Sequence, residues 1–157
     1  MKHYIGTKIV QAEPMEKNGR EGYKVVYVPD GYESWSPKDV FEEAYRETTG
    51  MPFGLAIEAA KKGKKIARAG WNGKNQYVEL ATCISYINAD HNIINVNHCT
   101  IGNKALAFVG TSGVQMGWLA SQADMLADDW RFVEKAEVMG YEMLLRCEPA
   151  HGIADEF

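Results

Sequence analysis

The sequence predicts an α+β fold: a short helix and a mostly antiparallel β-sheet, preceded by a small β-hairpin/helix module. Three observations carry this. Short runs rich in Val, Ile, Leu and Tyr recur between Gly, Pro, Asn and Asp turn signals along most of the chain. Helical spacing of apolar residues shows in two short stretches, near 37–45 and 52–62. The second stretch is followed by strand candidates in series rather than by alternating helices, which suits antiparallel pairing better than βαβ units.

Residues 1–50 read as a small accessory unit. A strand over 8–12 and a second over 22–27 come first, the latter rich in Val and Tyr. Pro29-Asp30-Gly31 is a turn, because Pro presets φ and Gly tolerates positive φ. A strand over 32–35 follows. Ser36-Pro37-Lys38-Asp39 then reads as a helix start, with Ser36 as N-cap, Pro37 at the first helical position and Asp39 near the positive helix end. That helix carries Val40, Phe41, Ala44 and Tyr45, and Glu47-Thr48-Thr49-Gly50 is the linker behind it.

Residues 51–157 form the main domain. Its helix over 52–62 places Phe53, Ile57 and Ala60 on one face, with Gly63 as C-cap. Strands over 64–68 and 76–80 flank a Gly70-Trp71-Asn72-Gly73 turn, and 93–96 and 105–109 are further strand candidates. Gly110-Thr111-Ser112-Gly113 turns the chain into 114–118. Ser121 and Asp124 have the spacing of a capping signal for one or two helical turns, after which 130–134 returns to strand. Residues 138–146 fit either helix or strand.

The chain has 157 residues, 46% of them hydrophobic and 24% charged, enough for a real core in one domain with an appendage. A net charge of −4 argues against a dedicated duplex-DNA binder, which needs an extended basic footprint, but leaves room for a local cationic patch. No apolar run is long enough to cross a bilayer, and the first residues lack an apolar signal core, so a cytoplasmic protein without membrane contact is expected. Cys83, Cys99 and Cys147 are odd in number and form no CxxC pair, which suits reduced thiols.

Two segments concentrate the chemistry. Gly63-Lys64-Lys65-Ile66-Ala67-Arg68-Ala69-Gly70-Trp71-Asn72-Gly73 combines cations with an indole. Trp118-Leu119-Ala120-Ser121-Gln122-Ala123-Asp124-Met125-Leu126-Ala127-Asp128-Asp129-Trp130 combines indoles with carboxylates. Cations suit phosphate oxygens, indoles suit a nucleobase, and carboxylates accept hydrogen bonds from ribose hydroxyls and exocyclic amines. This inventory fits holding a nucleotide better than transforming one.

Trp71, between two glycines, is either a stacking platform or a lid packed on the sheet edge. Stacking on an aromatic is worth about 1–3 kcal/mol per base. Arg68 is the phosphate candidate, since a strand fixes its fork for bidentate contact. Lys61, Lys62, Lys64 and Lys65 read as a solvated helix end. The helix start at Ser121 offers N–H groups to an anion unless Asp124 caps it first. Of Asp128 and Asp129, one serves the turn and the other is placed to hold a ribose or an adenine amine. His91, His98 and Cys99 match no zinc-ligand spacing, and Asp90-His91-Asn92 is more simply a turn, so neither a metal nor a cofactor is expected.

The order of these features, from a short helix through Gly-Lys-Lys-Ile-Ala-Arg-x-Gly-Trp-Asn-Gly to Trp-x-x-Ser-x-x-Asp-Met-Leu-Ala-Asp-Asp-Trp, resembles the type-two Thoeris anti-defence family of phages and prophages. The resemblance covers residues 52–134, and 124–130 is its most specific part. It implies a non-catalytic sponge that sequesters cyclic ADP-ribose isomers with joined riboses, made by TIR-domain enzymes, and in some members cyclic dinucleotides at a separate site. It also implies a homotetramer with pockets where protomers meet. On the motif positions it implies ligand-binding roles for Arg68, Trp71, Asn72, Ser121, Asp124, Asp129 and Trp130. Two departures bear on selectivity: a longer middle, 84–104, and Gln122-Ala123 in place of a Pro-Ser type of sequence. The competing readings are a protein-interaction module of a phage regulator and a phosphodiesterase or glycohydrolase that destroys the same signals.

Overall fold

The computed structural model describes residues 1–82, 84–95 and 104–133. It has the predicted α+β architecture, and its sheets are antiparallel throughout.

The first sheet is a meander of β1 (Val10–Pro14), β2 (Gly22–Tyr27) and β3 (Tyr32–Pro37). Gly31 has φ +69° in the turn after β2, and its N–H donates to the Tyr27 carbonyl at 2.8 Å. Helix α1 (Lys38–Ala44) follows β3 directly. Phe41 stacks between Tyr23 and Tyr45, with ring centroids 4.4 and 4.7 Å away, which fixes α1 against β2.

Ser36 is not the N-cap. The ladder between β2 and β3 runs on to Gly22↔Pro37, which draws Ser36 into the strand opposite Tyr23 and leaves Pro37 at the cap without a side-chain bond. Ion pairs anchor the helix start instead: Lys38 to Glu21 and Arg20 to Asp39, both at 3.1 Å.

The second sheet has five strands in the order β10-β4-β5-β8-β9. These are β4 (Ile66–Arg68), β5 (Tyr77–Thr82), β8 (Lys104–Gly110), β9 (Gly113–Met116) and β10 (Trp130–Phe132). Between β5 and β8, β6 (Ser85–Ile87) and β7 (Ile93–Asn95) form a separate hairpin. The strand expected over 93–96 appears over 93–95 as β7, residue 96 lying outside the described residues; its pairing with β6 was not legible. The expectation for 138–146 lies outside the described residues.

Helix α2 (Phe53–Lys61) covers one face of this sheet. Its buried positions are Ala56, Ala59 and Ala60, whereas Phe53 and Ile57 flank the contact half-buried. Small side chains let the helix backbone approach the sheet, so the larger apolar residues fall to the rim of the contact. Gly63 ends the helix at φ +86°, with Gly63 N–H bonded to the Ala60 carbonyl and Lys64 N–H to the Ala59 carbonyl, a Schellman arrangement.

The core beneath α2 joins Met51, Ile66, Val78 and Trp130, and Trp130 is fully buried. Residues 48–51 cover the open edge of β10. Met51 and Trp130 exchange backbone bonds of 2.7 and 3.1 Å, and Phe132 N–H donates to the Thr48 carbonyl at 2.9 Å.

Candidate functional site

The site grows from the ends of β4 and β10. Pairing of Arg68 with Trp130 and of Ile66 with Phe132 sets the register, and strand alternation puts Arg68 on the same face as buried Ile66. Because Arg68 is the last residue of β4, its side chain leaves the core at the sheet's end and meets the segment arriving from α3 (Gln122–Met125).

There the guanidinium is held by two carboxylates. Nε donates to Asp129 Oδ1 at 2.8 Å, and Nη1 donates to Asp124 Oδ1 at 3.0 Å. Asp129 Oδ2 accepts the Gly70 N–H at 2.8 Å, and Asp124 Oδ1 also accepts the Trp71 indole N–H at 3.2 Å. A closed circuit results: Arg68, Asp129, Gly70, Trp71, Asp124 and back to Arg68. It fixes both the backbone and the indole edge of the turn that presents Trp71.

Asp124 has a second duty. Its Oδ2 accepts from the Ser121 N–H at 3.0 Å and the Ser121 hydroxyl at 2.7 Å, while the Ser121 oxygen accepts the Asp124 N–H at 3.1 Å. This is a reciprocal capping box at the start of α3. The expectation of an anion at that helix start is therefore overturned in favour of its alternative: Asp124 caps the end itself.

The electrostatics follow from these contacts. Burial alone would raise the Asp124 carboxyl, but hydrogen bonds from Ser121, Arg68 and Trp71 outweigh it and hold the pKa at about 2. The Arg68 guanidinium, opposed by burial and aided by the Gly70 N–H, lowers Asp129 as well. Hydrogen bonds to Asp129 and Asp124 raise Arg68 in turn. Lowered in this way, both carboxylates stay ionised at neutral pH, where they accept hydrogen bonds, carry no proton to donate and are weak bases.

An aromatic cluster lies behind the circuit. Trp71 meets Phe108, Trp118 and Trp130 edge-to-face at centroid distances of 5.6, 6.0 and 5.4 Å. Trp130 donates its indole N–H to the Asp124 carbonyl at 2.9 Å, tying the cluster to α3. Trp118 leaves β9 through Gly117 at φ +78°, where both N–H groups bond to the Leu106 carbonyl.

Arg68, Trp71, Ser121, Asp124 and Asp129 are thus brought into one bonded network. Trp130 supports it from the core with no exposed ring face in this chain. Asn72 is exposed beside Trp71, outside the circuit. The sequence reading missed three contributors. Gly70 acts through its backbone and has no side-chain signal, Phe108 looked like any strand residue, and Trp118 was visible at the head of its segment.

The lysine run is largely spent on surface contacts. Lys61 pairs with Glu58, Lys62 donates to Thr7, and Lys64 and Lys65 lie over Phe132 and Tyr77. His91 sits at φ +62° in a turn whose Asp90 and Asn92 N–H groups bond to Asn88 Oδ1. His98 and Cys99 lie outside the described residues. Among the described residues no three His, Cys, Asp or Glu side chains group as metal ligands, and no helix is long and apolar enough to cross a membrane.

The segment bearing this network matches a known family model. Residues 51–133 fit the Thoeris anti-defense 2-like domain. The chain belongs to that family. Thoeris anti-defense 2 of Bacillus phage SP01 is 34% identical over 92 residues, covering 54% of this chain and 97% of the phage protein. The family domain thus begins at Met51, the residue that bridges to Trp130, and includes every member of the circuit. The three-stranded sheet and α1 lie before it.

Proposed function

We propose that this Thoeris anti-defence domain binds cyclic ADP-ribose isomers with joined riboses and holds them intact, keeping the defence effector of an infected bacterial host silent. The observation that carries the reading is the hydrogen-bonded circuit that fixes the Trp71 indole beside an ionised carboxylate. A flat aromatic and a fixed acceptor, both set before ligand arrives, suit recognition of a base and a ribose with little ordering cost. Stoichiometric removal of a signal demands tight binding; nanomolar affinity corresponds to about 12 kcal/mol. Family membership and carboxylates held ionised support capture over a proton-transfer role. Cyclic dinucleotides are a second ligand class to test.

Assembly belongs to the same proposal. Strand β9 pairs only with β8 among the described residues, Val114 and Met116 are exposed on it and Leu119 just after it, and no residue from 110 to 123 is charged. A bare, uncharged, apolar edge calls for cover. A second copy of the chain, within a homotetramer, is the proposed cover. The same exposed residues also favour the runner-up, a module that binds a different protein.

The test is capture and release. Protein is mixed with a cyclic ADP-ribose isomer and a panel of cyclic dinucleotides, unbound nucleotide is removed, and the protein is heat-denatured. Intact nucleotide recovered in proportion to protein is the expected result, and Trp71→Leu should reduce affinity roughly 5- to 150-fold. Cleaved nucleotide would make the protein an enzyme, and no depletion would favour the protein-partner reading.

A further inference from the structure

The two carboxylates that grip Arg68 differ in how much of their hydrogen-bonding capacity is used. An ionised carboxylate offers about four acceptor positions, two on each oxygen. Asp124 uses all four: Arg68 Nη1 and Trp71 Nε1 on Oδ1, and the Ser121 N–H and hydroxyl on Oδ2. Its side chain is 13% exposed. Asp129 receives Arg68 Nε on Oδ1 and the Gly70 N–H on Oδ2, with its own backbone N–H as a third donor, and its side chain is 35% exposed. Asp124 therefore faces inward and is saturated, whereas Asp129 faces solvent with acceptor capacity to spare.

Charge points the same way. One guanidinium against two carboxylates leaves the circuit with a net charge of −1, which repels a phosphate and attracts O–H and N–H donors. Two of the five N–H donors of Arg68, the Nε–H and one on Nη1, already serve the protein's own acids, so the charge of the fork expected to clamp phosphate is offset twice over. Gly70 keeps this arrangement open, because a Cβ there would lie 2.9 Å from Asp129 Oδ2 and push the carboxylate away.

We infer that Asp129, positioned by Arg68 and Gly70, is the specificity-determining acceptor of the site and reads a ribose hydroxyl of the ligand rather than its phosphates. The inference rests on the proposed nucleotide capture, and assigns Asp124 the separate task of orienting Trp71 and Arg68.

The test uses the full chain and three probes: adenosine, 2′,3′-dideoxyadenosine and inorganic pyrophosphate. Binding is read from the indole N–H resonance of Trp71, assigned by its loss in Trp71→Leu. Adenosine should shift the resonance, the dideoxy analogue should bind about tenfold to hundredfold more weakly, and pyrophosphate should neither shift it nor compete. In Asp129→Asn the two nucleosides should bind equally. The comparison in the unsubstituted protein stands whether or not that variant folds. Equal binding of both nucleosides to the unsubstituted protein, displacement of adenosine by pyrophosphate, or no response to any probe would each overturn the assignment. Capture of the intact cyclic isomer, scored separately, would then still stand, so the two failures can be told apart.

Discussion

Asp124 and Asp129 meet the same guanidinium, yet their surroundings fit them for different tasks, and pH separates those tasks. The folded Asp124 carboxyl titrates at about 2. An unperturbed aspartate titrates near 3.9. Since the folded value is depressed, the stabilisation is fully present above about pH 4 and is lost as pH falls through about 2, a contribution of roughly 2 kcal/mol. Asp129 is lowered in the same direction, chiefly by Arg68, and so adds to the loss of stability in acid. Chemical denaturation from pH 7 to pH 2 should therefore show the protein losing more stability than Asp124→Asn does. At neutral pH the variant should itself be weaker, because Trp71 and Ser121 lose a charged acceptor. Parallel stability–pH curves for the two would remove Asp124 as the keystone of the circuit.

At the level of elements, much of the fold was legible because local chemistry agreed with tertiary packing. Gly63 ends α2 as its position demanded, Ser121 and Asp124 form the cap that their spacing announced, and β2, β5 and β8 appear where Val, Tyr and Leu runs stood between turns. Local signals failed where pairing overrode them. Ser36 has the chemistry of an N-cap, but the β2–β3 ladder claimed it. The site was legible as a set of residues, whereas its wiring was not: no sequence rule says that Arg68 would spend its fork on the two aspartates of the other segment. The ladder that overrode Ser36 depends on Gly22. A Cβ there would overlap the Ser36 carbonyl, which cannot yield without opening the sheet, and lie 2.6 Å from the Trp35 ring, which would have to give up its bond to the Met15 carbonyl to move. Gly22→Ala should cost about 1–3 kcal/mol by chemical denaturation. Gly54→Ala, at a helical position with open space around its Cβ, should be neutral or stabilising. Equal stability of the two variants would contradict this account of β3.

At the scale of the whole molecule, the two edges of the five-stranded sheet are treated differently, and the difference predicts assembly. One edge, β10, is closed by the chain itself: Met51, the first residue of the family domain, bonds to Trp130, and Thr48 just before the domain bonds to Phe132. The other, β9, carries Val114 and Met116 in the open, with Leu119, three residues further on, 88% exposed. A soluble monomer that left such an edge bare would be prone to strand addition, and native sheets usually blunt theirs with charge, proline or cover. Neither charge nor proline occurs within β9, and among the described residues no strand but β8 pairs with it, which is why the proposed cover is a second copy. Met116→Glu places a charge at the end of that edge strand without touching the circuit or the core beneath α2. Light scattering after size-exclusion chromatography should find an oligomer for the unsubstituted protein and a monomer for the variant, with circular dichroism unchanged. If nucleotide capture needs the partner copy, the variant should lose capture while retaining its fold. An unsubstituted protein that runs as a monomer, or a variant that still assembles, would turn the patch over to a different protein partner.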